Sequence, residues 1–147
     1  MEAIILDPRL REFAPEYKSE GAAGIDLRAC IDYPIHLLPN SAKLVPTGLS
    51  IHIADTNYAG LVIPRSGLGI QHGVILGNSV GLIDSDYQGE VMVSLWNRTL
   101  IPFKLSPMDR IAQLVIIPVI KAKLDIVESF SLVSQRGKKG IGSTGIK

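Results

Sequence analysis

Cysteine is almost missing from this 147-residue chain: Cys30 is the only one, so no disulfide can form within it, which suits a reducing compartment. Aromatic residues are scarce at 5% against an apolar content of 46%, so the core the chain builds is aliphatic. No run approaches the 18 apolar residues of a membrane-spanning helix. Neither sign of charge prevails: 15 basic and 14 acidic residues leave a net charge of +1, which gives no global field to draw in nucleic acid or a membrane surface. The opening "MEAIILDPRL" carries a four-residue apolar run between Glu2 and Asp7, too short and too acidic for a secretory signal. A cytoplasmic protein is expected. His36, His52 and His72 share no metal-ligand spacing with one another or with Cys30, so a zinc site is not expected.

What is present is a series of short aliphatic runs set off by turn signals. The length suits one domain, which on folding buries roughly 70% of the surface its unfolded chain exposes. Asp7-Pro8, Tyr33-Pro34, Pro39-Asn40, Gly77-Asn78, Gln88-Gly89, Asn97-Arg98 and Ser106-Pro107 punctuate the chain. In "EVMVSLWN" (90–97), Val91, Val93 and Leu95 share one face while Met92, Ser94 and Trp96 share the other. Both faces are largely apolar, so this strand is expected to be covered on both sides. "LVIIPVI" (114–120) is a continuous apolar run of strand length whose Pro118 favours an edge or a bend. Many short strands with Gly/Pro turns predict an all-β sandwich, jelly roll or barrel, with one short helix over "SGLGIQHG" (66–73). Residues 1–134 are expected to form a single β domain. "QRGKKGIGSTGIK" (135–147) has four glycines, Arg136, Lys138, Lys139 and Lys147, and no acid, a composition that predicts a mobile tail, either a frayed terminus or a basic lid that closes over an anion bound elsewhere.

Several stretches carry chemistry. In "GLIDSDYQGE" (81–90), Asp84, Asp86 and Gly89 fall on positions one, three and six of a calcium loop, but position twelve is Leu95 and the flanks read as strands, so an EF-hand is excluded. The tail has glycines at phosphate-loop spacing, Gly137 and Gly142, yet Ser143 stands where that motif needs lysine. In "IPRSGLG" (63–69), Arg65 and Ser66 lie where a strand gives way to a turn or helix. That arrangement serves either as a phosphate cradle or as an N-cap serine beside a surface arginine. Gln113 is an isolated amide in the apolar run of "MDRIAQL" (108–114), either a core hydrogen-bonding node or a ligand contact. Cys30 has no basic neighbour in sequence and reads as a small core residue rather than a nucleophile.

Taken in order, "AAGIDLRA" (22–29), "PRSGL" (64–68), "GLIDSDYQGE" (81–90), "DRIAQL" (109–114) and "RGKKGIGSTG" (136–145) resemble the five motifs of the trimeric deoxyuridine triphosphatases, or dUTPases, over almost the whole chain. The resemblance implies a distorted jelly-roll-like β fold in a homotrimer whose active sites are shared between subunits. It implies hydrolysis of dUTP to dUMP and pyrophosphate, with Mg2+ carried by the triphosphate. Residue by residue, it makes Asp84 the carboxylate that activates water and Tyr87 the ring that packs on deoxyribose and excludes a 2′-hydroxyl. Asn78 and the neighbouring hairpin backbone read uracil. Arg65, Ser66, Gly67 and Gln113 hold phosphates, and Arg136 comes in with the tail, whose Ile141, Gly142 and Ser143 also contact substrate. Asp26 is tied to the metal's water shell, and Asp86 shapes the turn beside Asp84.

Two positions depart from the family pattern. Lys139 replaces a usual glycine, and Ile141 replaces a phenylalanine that stacks on the base, so weaker closure over substrate is expected rather than loss of activity. The rivals are a dCTP deaminase-like relative on a similar fold and a non-catalytic nucleotide-binding protein.

Overall fold

The computed structural model describes residues 1–140. Ten strands and one α-helix form in chain order: β1 (Glu2–Ile5), β2 (Ile25–Arg28), β3 (Ile35–Leu37), β4 (Ser41–His52), β5 (Tyr58–Pro64), α1 (Ser66–His72), β6 (Val74–Leu76), β7 (Gly81–Ile83), β8 (Glu90–Asn97), β9 (Phe103–Leu105) and β10 (Arg110–Pro118). One antiparallel sheet has the order β1-β4-β8-β6, a second the order β2-β10-β5-β7, and β3 pairs with β9. Hydrogen-bonded neighbours are mostly far apart in sequence, which is the connectivity of a jelly-roll-like sandwich.

Period-two alternation explains how the two sheets close on one core. From β8 come Val91, Val93 and Leu95, from β4 Val45, Leu49 and Ile51, from β2 Leu27, and from β10 Ile111 and Leu114, all buried in a single cluster. No aromatic side chain joins the buried set, as the composition foretold. The other face of β8 departs from expectation: Met92 is 38% exposed and Ser94 and Trp96 are only half-buried, so within one chain this strand is covered on one side.

Asn97, at the end of β8, is fully buried and fully bonded. Its Nδ2 donates to the carbonyls of Leu37 (2.9 Å) and Ile101 (2.8 Å), and its Oδ1 accepts from the backbone N–H (3.0 Å) and hydroxyl (2.8 Å) of Thr99. A turn signal in the sequence is thus a polar pin that fixes where β3 and the 98–102 loop meet the core.

Strand β4 is interrupted by a bulge between Pro46 and Ser50. Gly48 sits there at φ 64°, and a Cβ on it would stand 2.8 Å from the Cys30 sulfur, so only glycine fits. The interrupted ladder is replaced by side chains: the Thr47 hydroxyl donates to the Val91 carbonyl (2.6 Å), the Ser50 hydroxyl to the Gln88 carbonyl (2.8 Å), and the Gly48 N–H to Glu90 Oε1 (2.7 Å). These three bonds brace the segment from Gln88 to Val91. Burial, reinforced by the nearby Asp7 carboxylate, pushes the Cys30 thiol up to about 12; it donates to the Thr47 carbonyl instead of meeting solvent.

The last strand stops at Pro118, sixteen residues short of the expected domain edge at 134. From Ile120 to Gly140 the chain is exposed at every position, including Ile120, Leu124, Ile126, Phe130, Leu132 and Val133. In one chain these apolar side chains have nothing to pack against.

Candidate functional site

The second sheet arranges its outward face in rows. Asp26 of β2 stands opposite Gln113 of β10, which stands opposite Ile63 of β5. Arg65 follows two positions after Ile63 in still-extended backbone (φ −87°, ψ 134°), so it projects on the same side. Asp26, Gln113 and Arg65, expected from distant parts of the chain, are therefore brought together. Gln113 is half-buried on this face and not a core node.

Asp26 is the electrostatic centre of the row, with a side chain only 10% exposed. Its Oδ1 accepts from Arg65 Nε at 3.0 Å and its Oδ2 from Arg110 Nη1 at 3.2 Å, while Arg65 Nη1 donates to the Arg110 carbonyl at 3.3 Å. Arg110 was not singled out from sequence, although it lies in the "DRIAQL" stretch; its link to Asp26 comes from strand pairing 84 residues apart. Helix α1 begins just beyond. Its N-cap residue is Arg65, which makes no side-chain capping bond, so Ser66 is not the cap that one reading of the sequence gave it. Ser66 and Gly67 are exposed on its first turn.

Asp84 and Asp86 lie on the turn between β7 and β8. The Tyr87 N–H closes this turn on the Asp84 carbonyl (3.2 Å), and the Ala54 N–H binds the Ser85 carbonyl (2.9 Å). Asp84 is exposed and lines an open cleft of about 530 Å³ with Thr56, Tyr58, Ser85, Asp86 and Lys121. The Tyr87 hydroxyl donates to the Glu90 carbonyl (2.8 Å), and its ring covers Gly89. The bulge of β4 braces this same segment from the other side, so the tyrosine is held by its tip, by the glycine beneath it and by the strand behind.

Asn78 occupies the link between β6 and β7. That link is the turn its Gly77-Asn78 signal predicts, and the strands it joins do not pair with each other, because β6 joins β8 in one sheet and β7 joins β5 in the other. It is a turn between sheets, closed by the Ser79 N–H on the Leu76 carbonyl (3.1 Å) and the Val80 N–H on the Asn78 carbonyl (2.7 Å). Asn78 is exposed, and its Nδ2 hangs over Gly81.

One chain does not unite these parts. Ile83 pairs with Gly60, so Asp84 lies beside Ala59, at the start of β5, whereas Arg65 lies past its end. At ~3.3 Å per residue the six positions between Ala59 and Arg65 span about 20 Å. Arg136, in the exposed C-terminal segment, donates from Nε to the Lys139 carbonyl at 3.0 Å and touches neither group. Ile141, Gly142 and Ser143 lie outside the described residues.

Comparison with known proteins places this geometry. A protein-family model described as dUTPase matches residues 12–145. The deoxyuridine 5'-triphosphate nucleotidohydrolase of Thiobacillus denitrificans is 59% identical over 145 residues, covering 99% of both chains. That of Paraburkholderia phymatum is also 59% identical, covering 99% of this chain and 97% of its own. Among solved structures, the dUTPase of Staphylococcus bacteriophage 80alpha with dUpNHpp superposes with a TM-score of 0.87 at 26% identity, over 99% of this chain and 98% of the other.

Proposed function

Since the chain belongs to the dUTPase family, we propose from that premise how its own residues act on dUTP. It is a dUTP diphosphatase, a hydrolase that releases dUMP and pyrophosphate. The Asp84 carboxylate orients a water and takes its proton as the water oxygen attacks the α-phosphorus. The bond from that phosphorus to the bridging oxygen breaks, and the electron pair leaves with pyrophosphate. Tyr87 packs on the deoxyribose, where a 2′-hydroxyl finds no room. Asn78 and the backbone of its turn read the polar edge of uracil. Arg65, Ser66, Gly67 and Gln113 hold the phosphates, and Arg136, Ile141, Gly142 and Ser143 close over the substrate with the tail.

The observation that carries this reading is the braced turn: Asp84 lines a cleft, its backbone carbonyl takes the Tyr87 N–H, and the Tyr87 ring is tied down on the same turn by its hydroxyl. Preorganisation of this kind is what a water attack on phosphorus needs, since the protein does little covalent work.

We read the working form as a homotrimer with shared sites. Two observations support this: the ~20 Å between Asp84 and Arg65 along one chain, and the bare apolar segment after Pro118. The residues fit magnesium as an ion that arrives with the triphosphate. Among the described residues no group of three or more metal-binding side chains gathers, and Mg2+ commonly takes one or two carboxylates with substrate phosphates. Asp26 would hold such an ion through its water shell, and the ion would supply neutralisation of charge on the phosphate oxygens. A cytoplasmic location, with the β domain and basic lid acting as one unit, completes the reading.

Product analysis with dUTP, UTP, dTTP and dCTP, each with magnesium, tests it. Pyrophosphate and dUMP from dUTP alone are expected. Ammonia from dCTP would move the protein to the deaminase branch, and binding without product would make it a nucleotide-binding protein on an enzyme scaffold.

A further inference from the structure

We propose that Asp26 is a positioning residue that acts on substrate through Arg65, and that Arg110 is the second cation keeping this cluster net positive. The proposal rests on the dUTP-hydrolase reading above and adds to it the source of the phosphate site's orientation and charge.

The geometry is graded from inside to outside. The Asp26 side chain is 10% exposed, Arg65 23% and Arg110 47%, so the carboxylate forms the floor and the two guanidinium groups rise from it toward solvent. Each carboxylate oxygen serves one arginine. Arg65 is held at two of its nitrogens, Nε on Asp26 and Nη1 on the Arg110 carbonyl, which leaves Nη2 to donate outward. A guanidinium fixed at two points has given up its rotamer freedom before a ligand arrives, and that loss no longer weakens binding. The direction is set by register: Arg65 shares its face with the Asp26–Gln113–Ile63 row, so the fixed fork and the Gln113 amide converge on one place.

Charge points the same way. Two arginines share one carboxylate, which leaves one unit of positive charge in a partly desolvated corner, and no second acid joins them in an ion pair among the described residues. An anion bridging the outer edges of the two guanidinium groups removes that imbalance through charge-assisted bonds. Both Asp26 oxygens orient arginines, and through Arg65 the carboxylate acts on the phosphates whether or not magnesium is bound.

Equilibrium binding of dUpNHpp, with deoxyuridine as the phosphate-free control, decides the matter for wild type, Asp26→Asn, Arg65→Ala and the double variant, in EDTA and in magnesium. Asp26→Asn is expected to weaken dUpNHpp about tenfold in both media and leave deoxyuridine unchanged, and its penalty is expected to vanish in the Arg65→Ala background. In turnover KM rises more than kcat falls. Arg110→Gln, which spares Asp26, is expected to weaken dUpNHpp and flatten the dependence of its affinity on salt. An Asp26→Asn penalty confined to magnesium, or equal in both backgrounds, overturns the proposal. Should Asp26→Asn not fold, an unchanged salt slope in Arg110→Gln overturns it instead. Wild-type hydrolysis of dUTP, measured alongside, keeps the two readings apart: an active wild type whose cycle fails sinks this proposal and not the function.

Discussion

The ring of Tyr87 lies directly over Gly89, so closely that a single methyl group at position 89 would overlap the phenol. Glycine here is the floor on which the tyrosine rests, and the bond to the Glu90 carbonyl holds the ring down. Replacing Gly89 by alanine should tilt the ring away and open space at the sugar. The expected result is a fall of about tenfold or more in the preference for dUTP over UTP, with dUTP turnover reduced less. Competing kcat/KM values for the two nucleotides measure it, and an unchanged ratio would remove Tyr87 from the discrimination.

The separation of Asp84 from Arg65 makes a second prediction. Asp84→Asn and Arg65→Ala should each be inactive by about a hundredfold or more. Unfolded together and refolded as a mixture, they should recover activity, since random assortment leaves about a quarter of two-subunit sites with both native residues. No recovery above the sum of the two parents would mean that each chain completes its own site.

Asn97 tests the fold apart from the chemistry. Asn97→Ala leaves the buried Leu37 carbonyl without its Asn97 donor, while the Ile101 carbonyl keeps the Thr99 hydroxyl. A loss of about 3 kcal/mol is expected, at the upper end for an unsatisfied buried group. Urea titration measures it, with an unchanged m-value showing that only stability moved.

The Cys30 thiol carries a pH signature. Its folded-state pKa stands above the ordinary thiol value, so in the folded chain it keeps a proton that the unfolded chain gives up first. Stability should therefore fall as pH rises from the ordinary thiol range near 9.0 toward about 12, and hold steady below that window. A Cys30→Ala variant should lose this alkaline slope. Parallel stability curves for the two proteins would show that burial of the thiol does not matter to the balance.

In the tail, Ile141→Phe should restore an aromatic face to the base. A gain of about 0.5–1.5 kcal/mol corresponds to KM lower by roughly two- to tenfold, with kcat nearly constant. Unchanged KM would mean that the isoleucine covers uracil as well as a ring does.

Local signals in the sequence carried some of this and not the rest. The short helix after Arg65 and the buried Val91–Val93–Leu95 face follow from composition and period, which act between near neighbours. The placement of Asp26 beside Gln113, and of Arg110 on Asp26, depends on strand register set by partners 84 to 87 residues away, and no local pattern encodes it. Gly77-Asn78 marks a turn in the sequence, but which sheet each flanking strand joins is decided by the β5 and β8 faces waiting for them. The five stretches that resemble the family motifs supplied the candidate residues. What they could not supply was the division of those residues between two ends of a strand.

The segment after Pro118 sets a problem of survival before any question of catalysis arises. A chain fresh from synthesis displays "IKAKLDIVESFSLV" (120–133), in which hydrophobic residues are never more than two in a row and Lys121, Lys123, Asp125 and Glu128 break the pattern. Charges placed so act as gatekeepers against cross-β stacking of like segments. The two lysines and two acids so keep this exposed stretch from joining its copies on other chains.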